Sequence, residues 1–167
     1  ESGIFGAMNQ GFKAAGTADW LLFWGSDDWT ASPTVFADLV VALEETTSQG
    51  LIPNLLVCGG RYVDAASGAL ARATAFHPPG LLKTASFRRA LLLGSTPPHQ
   101  ATLFGPGARQ HLAGYAPGFR LTADLNYFLQ LSRCPGLRVQ CLDLELVHMA
   151  DSGVSGQQRS RRLQAVC

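Results

Sequence analysis

The sequence predicts an α/β domain with a largely buried sheet. Three observations predict it. Apolar residues recur at helical spacing in several segments. Two short continuous apolar runs, DWLLFWG (19–25) and NLLVCGG (54–60), have the length and character of strands covered on both faces. Helix-like and strand-like patterns then alternate along the chain, as they do where helices pack on a sheet. With 167 residues the chain fits a single domain, 1–167, with a polar tail over 156–167.

Each element has its own signal. Residues 3–15 set Ile4, Phe5, Met8, Phe12 and Ala15 on one stripe, and Gly16 ends that helix. The run 19–25 follows and stops abruptly at Ser26-Asp27-Asp28. Ser32 and Pro33 supply an N-cap and a first helical residue for 33–47, with Val35, Phe36, Leu39, Val40 and Leu43 as the apolar face. Gly50 and Pro53 close that unit before the second apolar run. Residues 61–76 read as a hairpin, with Ser67-Gly68 at or near its turn. Pro78, Pro79 and Gly80 lead into a helix around 81–92, which Gly94, Pro97 and Pro98 break. ATLFG (101–105) reads as a strand, followed by a short helix at 106–112. Leu125, Phe128, Leu129 and Leu131 mark a helix over 122–133 that ends before Pro135-Gly136. RVQCLDLELVHM (138–149) is strand-like, and the tail after Ser155 reads as a terminal helix.

Composition narrows the function. The chain is 47% hydrophobic and 15% charged with a formal net charge of +1, so it lacks the clustered positive face a nucleic-acid partner needs. The basic cluster Arg159, Arg161 and Arg162 reads as a solvated helix face, with a membrane surface or an acidic partner as the alternative. Four cysteines (Cys58, Cys134, Cys141, Cys167) form no CxxC pair and no zinc-type spacing with histidine. Cys58, inside an apolar run, reads as a reduced core thiol and makes a cytoplasmic location the default; a Cys134–Cys141 disulfide stays open. No apolar run approaches the ~18 residues that span a bilayer. No signal peptide is visible either, an absence of little weight in a chain that opens on Glu1 and reads as cut from something longer.

The chemistry concentrates where the first apolar run ends. Ligands gather at the carboxyl ends of strands in open α/β sheets, so Asp27 and Asp28 stand where a site would be. Paired carboxylates are suitable hard ligands for Mg²⁺ or Mn²⁺, which could share the charge of a diphosphate leaving group. The competing reading is that Asp28 or Ser26 only caps a turn.

GIFGAMNQGFKAAGTADWLLFWGSDDW resembles the block of family-2 glycosyltransferases that reads roughly "GIYDAMNKGI…A.GDYI.FLNSDDW". Further along, GGRYVDAASGALAR is similar to that family's central hairpin. PHQATLFGPGARQHLAGYAPGFRLTADLNYFLQL is similar to its "HQ…F.R…F…GGFDE.F.IAADYDL.LRL" segment, and MADSGVSG to its closing "GGVS". Four blocks in order cover nearly all of residues 3–156.

The resemblance implies a GT-A-like, Rossmann-related mixed sheet flanked by helices. It implies a nucleotide-diphosphate sugar donor, a glycan or lipid-linked acceptor, a Mn²⁺ or Mg²⁺ cofactor, and displacement with inversion at the anomeric carbon. Asp27 falls at the closing acid of the family's metal motif, with Asp28 beside it and His148 as a further metal-ligand candidate. Ser26, Asp28 and Asn9 fall on the donor side; His99, Gln100 and Trp29 fall on the acceptor side. Asp124 falls at the catalytic base, the carboxylate that takes a proton from the acceptor hydroxyl. Family membership would also allow peripheral contact with the inner face of a membrane.

Plainer roles compete at each position. Asp124 would also suit a helix N-terminus, His99 an ordinary loop, His148 a satisfied strand position, and Trp20 and Trp24 core packing. Where relatives often carry an acid or Asn this chain has Gly25; Gly6 replaces the usual Asp, and Asn126 stands where many have a second acid. The family's opening "VSIITPTYN"-like strand and "DGGSTDGT"-like loop do not occur. The resemblance therefore implies a fold without its first strands, inactive in transfer as it stands, with a sheet edge open to pairing in a dimer. A catalytically silent carbohydrate- or partner-binding domain of the same fold is the alternative reading.

Overall fold

The computed structural model describes residues 3–16, 20–48, 50, 52–64, 66–74, 76–116 and 122–150. The expected terminal helix, the arginine cluster and most of the MADSGVSG block lie outside these residues.

Two long strands form the spine: β2 (Leu55–Val63) and β6 (Arg138–Ala150) run parallel, pairing from Leu55–Val139 to Val63–Ala150. Shorter antiparallel strands flank them. Beside β6 lie β4 (Gly80–Lys83) at its start and β1 (Asp28–Thr30) at its end. Beside β2 lie β5 (Thr102–Phe104) at its start and β3 (Leu70–Thr74) at its end. Val57 faces Cys141 but Gly59 faces Glu145, so β6 advances four residues while β2 advances two. That bulge divides the sheet into two halves and bends it, as inserted residues do.

Helices cover both faces, as the buried runs predict. One face carries α1 (Ile4–Ala14), α3 (Thr84–Leu92) and α5 (Ala123–Leu131), which bring Phe12, Phe87, Leu91, Tyr127, Phe128 and Leu131 onto Leu55, Val57 and Val139. The other carries α2 (Val35–Ser48), whose Val35 and Leu39 meet Leu56, Cys58, Leu146 and Met149. Leu55, Leu56, Phe104 and Phe128 are fully buried. Burying a side chain of that size contributes about 1.5–3 kcal/mol each, so the spine is the stable part of the molecule. Helix α4 (Pro106–His111) is short and starts at its proline. Among the described residues no helix is long and apolar enough to cross a membrane.

Several expectations need correction. The described part of the first apolar run, residues 20–25, does not form a full strand: Leu21 bridges Phe104 through two backbone hydrogen bonds (3.0 and 2.8 Å), and Leu22–Gly25 continue without a ladder. The run still packs on both of its faces, as expected: Leu21 and Phe23 meet one core and Trp20, Leu22 and Trp24 the other. The chain then makes a turn and re-enters the sheet as β1, so Asp28 opens a strand rather than following one. Helix α2 starts at Val35, after a turn in which the Ser32 carbonyl accepts from the Val35 amide. Phe36 and Val40 are largely exposed, Phe36 leaning on Trp24, and the Val35–Leu39–Leu43 row carries the apolar contact with the core. Residues 80–83 are strand β4, not the start of the helix, because buried Leu82 alternates with exposed Leu81 and Lys83. The hairpin forms as expected: Gly68 takes a positive φ of 69°, and the Asp64 carboxylate accepts from the Ala66 and Ser67 amides. The three described cysteines, Cys58, Cys134 and Cys141, are free, which closes the Cys134–Cys141 alternative.

Candidate functional site

The acid turn occupies Gly25–Asp28. The Gly25 amide donates to Asp28 Oδ2 at 2.6 Å, and the Asp28 amide donates back to the Gly25 carbonyl at 3.3 Å. A Cβ at Gly25 would lie 2.8 Å from Asp27 Oδ1 and 3.3 Å from Asp28 Oδ2. The bare glycine therefore lets both carboxylates fold back over one backbone position. Asp27 and Ser26 are exposed and Asp28 is half-buried. Burial raises the Asp28 pKa, the Gly25 amide opposes the rise, and neighbouring Asp27 adds to it.

Just upstream, Phe23 and Trp24 tie this turn to the short 3₁₀ turn at His99–Ala101. The Trp24 indole donates to the Gln100 carbonyl at 2.8 Å, and the Phe23 ring stacks on His99 with centroids 6.0 Å apart. His99 sits among Phe23, Phe104 and Tyr115, and its Nε2 hydrogen-bonds the Tyr115 hydroxyl. This enclosure pushes the His99 pKa down to about 4, against the opposing charge of Asp124. Burial likewise drives the Tyr115 hydroxyl upward, with Tyr127 and Asp124 adding to the rise. Asp124, in the first turn of α5, is half-buried and its Oδ1 accepts from the Leu125 amide at 2.8 Å. The residue before the helix, Thr122, takes the left-handed conformation at φ 65°.

Asn9 uses both ends of its side-chain amide on the backbone at Tyr115. Its amide donates to the Tyr115 carbonyl at 3.1 Å and its Oδ1 accepts from the Tyr115 amide at 2.7 Å. Both polar ends thus hold the loop that presents Tyr115 to His99. Gly114 is needed beside it, since a Cβ there would meet Asn9 Oδ1 at 2.6 Å.

On the other half of the sheet, Trp29, His148 and Arg61 occupy one row across β1, β6 and β2. Trp29 is 44% exposed and meets the His148 ring edge-on at 6.0 Å. His148 Nε2 contacts Glu145 Oε1 at 2.9 Å, and Arg61 grips Glu145 through Nε (2.9 Å) and Nη2 (2.7 Å). Arg61 first, then His148, hold the Glu145 carboxyl below the ordinary range.

The structure therefore sets His99 and Gln100 against the segment that leads into the acid turn, and Asp124 close enough for its charge to act on His99. Trp29 follows the acid turn directly in β1 and meets His148, which belongs to the salt-bridged row on the far side of the turn from His99. Among the described residues no three His, Cys, Asp or Glu side chains come together as a metal cage. Two adjacent carboxylates are still the protein share that Mg²⁺ commonly takes, the rest of its shell being water and substrate phosphate.

Sequence reasoning passed over Tyr115, Arg61 and Glu145. Their roles depend on loop position and strand register, which no local pattern encodes. It also passed over a cavity of about 440 Å³ at the sheet bend, lined in part by Gly59, Thr74, His77, Asp143 and Glu145. No residue chosen from the motifs lines it.

No family model matches the chain, and no curated protein matches it in sequence. Among solved structures the fold is similar to that of TarS residues 1–349 from S. aureus, a glycosyltransferase, with a TM-score of 0.62 at 14% sequence identity. The likeness takes in 99% of this chain and 44% of TarS 1–349, so the chain spans less than half the length of that structure. The domain has a glycosyltransferase-like fold: a mixed sheet flanked by helices, with the acid turn, His99 and Asp124 arranged as described.

Proposed function

We propose that this domain takes part in sugar transfer from a nucleotide-diphosphate sugar to a hydroxyl of a glycan or lipid-linked acceptor, with inversion. The observation that carries the reading is His99, packed on the segment leading into the acid turn and under the charge of Asp124, within a glycosyltransferase-like fold. In the proposed reaction the acceptor oxygen attacks the anomeric carbon, the bond from that carbon to the diphosphate breaks, and the acceptor proton passes to Asp124. A half-buried carboxylate on the first turn of a packed helix is held firmly enough for that work. His99, with its pKa near 4, stays neutral at physiological pH and serves as a wall and hydrogen-bond partner rather than a charge. Trp29 offers an exposed aromatic face to a sugar ring. A Mn²⁺ or Mg²⁺ ion held by Asp27, with Asp28 beside it, would share the charge of the diphosphate leaving group. Ser26 adds a hydroxyl at the same turn. Asn9 belongs to the support of this site through Tyr115.

The second reading, a silent carbohydrate- or partner-binding domain, is favoured by Gly25 and Gly6, which stand where the resembling family carries acidic or amide side chains. Calorimetry with Mn²⁺ and a nucleotide sugar, on the full natural protein, separates the two. Donor binding that requires Mn²⁺ and loses that requirement in Asp27→Asn is the expected result. Donor binding with unchanged metal dependence in Asp27→Asn would move the metal away from the acid turn. Absence of donor binding altogether favours the silent reading.

A further inference from the structure

Helix α3 has two unlike flanks. Phe87 and Leu91, four residues apart, are fully or almost fully buried against α5 and the sheet. Arg88 and Leu92 form a second pair at the same spacing, and Arg89 and Leu93 a third. These last four are all exposed, the leucines at 69% and 76%. Together with Thr84, Ala85 and Ser132 they line one shallow groove of about 510 Å³. Leucines this open serve no packing role among the described residues.

The stretch of sequence that contains them is one-sided in charge. Between Asp64 and Asp143 the sequence holds a single acidic residue, Asp124, among eight arginines and lysines. The overall charge of +1 hides this, because the acids are concentrated elsewhere. No acidic side chain stands near α3 in sequence to pair with Arg88 or Arg89, and no ion pair to either forms among the described residues. Basic residues with adjacent exposed leucines combine the two forces that hold a protein on an anionic bilayer: attraction to headgroups and burial of apolar side chains at the acyl boundary.

We infer that the Arg88–Leu93 flank of α3 is a docking surface for an anionic lipid bilayer. Two arginines and two leucines give a weak, reversible contact rather than an anchor. Such a contact would hold the domain beside a lipid-linked molecule without inserting a helix, and it stands whether or not the sugar-transfer reading does.

Co-sedimentation of the 167-residue chain with vesicles tests it. Vesicles of equal parts phosphatidylglycerol and phosphatidylcholine should pellet the chain, and vesicles of phosphatidylcholine alone should not. Raised salt should weaken the binding. Arg88→Gln with Arg89→Gln should lower it by roughly fivefold per arginine, the worth of one basic residue near such a surface. Arg88→Lys with Arg89→Lys should retain it. Leu92→Ser with Leu93→Ser should lower it too, with an unchanged melting temperature because both side chains are exposed. Equal binding to neutral vesicles would overturn the proposal, as would indifference to both pairs of substitutions. So would tight binding to soluble polyglutamate that ignores the leucines, which would make the partner an acidic chain. Loss of self-association in the leucine variant, with no vesicle binding by the parent, would assign the face to a second copy.

Discussion

His99 and His148 differ in what encloses them. Around His99 stand three aromatic rings, a buried tyrosine hydroxyl and one carboxylate, Asp124, that acts on it from the helix start. Around His148 stand an ion pair, Arg61–Glu145, and the exposed edge of Trp29. Low-dielectric enclosure makes charge costly at the first site, whereas water and a guanidinium share charge freely at the second. The enclosed cluster is therefore where a single substitution should change chemistry or pH response, and the open row is where it should not.

The largest effect sharpens that contrast. In the full natural protein Asp124→Asn keeps the shape of the side chain and removes the proton acceptor. Turnover should fall about 10²–10⁴-fold, the usual worth of general-base catalysis, while donor and metal binding stay nearly intact. A helix-terminus role alone would show the reverse: Asp124→Ala losing on the order of 1 kcal/mol of stability with turnover little changed. Steady-state kinetics and melting temperatures on both variants distinguish the two.

The next effect is in stability against pH. His99 has a folded pKa of about 4 against an ordinary value of 6.5, so the unfolded chain binds more protons between those values. Stability is then full above about pH 6.5 and falls as pH drops toward 4, by something on the order of 3 kcal/mol. Urea unfolding of the wild type and of His99→Gln at pH 7.0 and pH 4.5 reads this directly. The glutamine variant should lose much of the acid-side decline. An identical decline in both proteins would mean that other groups set the acid limb and that the enclosure of His99 is weaker than its neighbours suggest.

The same contrast explains what the sequence could convey. Apolar periodicity located α1, α2, α5, β2 and β6 because burial repeats along those segments. Leu21–Trp24 look like a strand for the same reason: their side chains alternate between two cores even though one bridge is all the ladder they keep. Short β1 and β4 were not legible, since three or four residues held by register with β6 carry too little periodicity. The GIFGAMN block fixed attention on Asn9, yet the hydrogen bonds of Asn9 turn inward to Tyr115, a partner 106 positions away that no motif announces. Arg61 and Glu145 meet only because β2 and β6 lie side by side in parallel.

A smaller effect is expected in the open row. Glu145→Gln removes the carboxylate that Arg61 and His148 share. Its side chain is 33% exposed, as Arg61 is at 31%, and water can take over much of the interaction. The melting temperature should move less than it does for His99→Gln at pH 7, and its pH dependence between 4.5 and 7.0 should stay close to that of the wild type. A larger shift than the His99 variant shows would invert the comparison and make the row a structural pillar.

Gly25→Ala should have the smallest effect on stability while still reaching the site. The added methyl would sit 2.8 Å from Asp27 Oδ1 and 3.3 Å from Asp28 Oδ2, so both carboxylates must move. They are the ends of flexible side chains on a turn where Asp27 is exposed, and moving them strains no backbone. Asp28 also has to give up or lengthen its 2.6 Å bond from the Gly25 amide, which loosens the turn without opening the core. Unfolding free energy should therefore change by less than about 1 kcal/mol. Mn²⁺ affinity in the presence of donor should fall, because the two oxygens would no longer converge over one backbone position. Calorimetric titration beside a melting curve measures both. Unchanged Mn²⁺ affinity would show that the folded-back arrangement of Asp27 and Asp28 is not the one that holds the ion, and that any cation bound there draws the carboxylates outward.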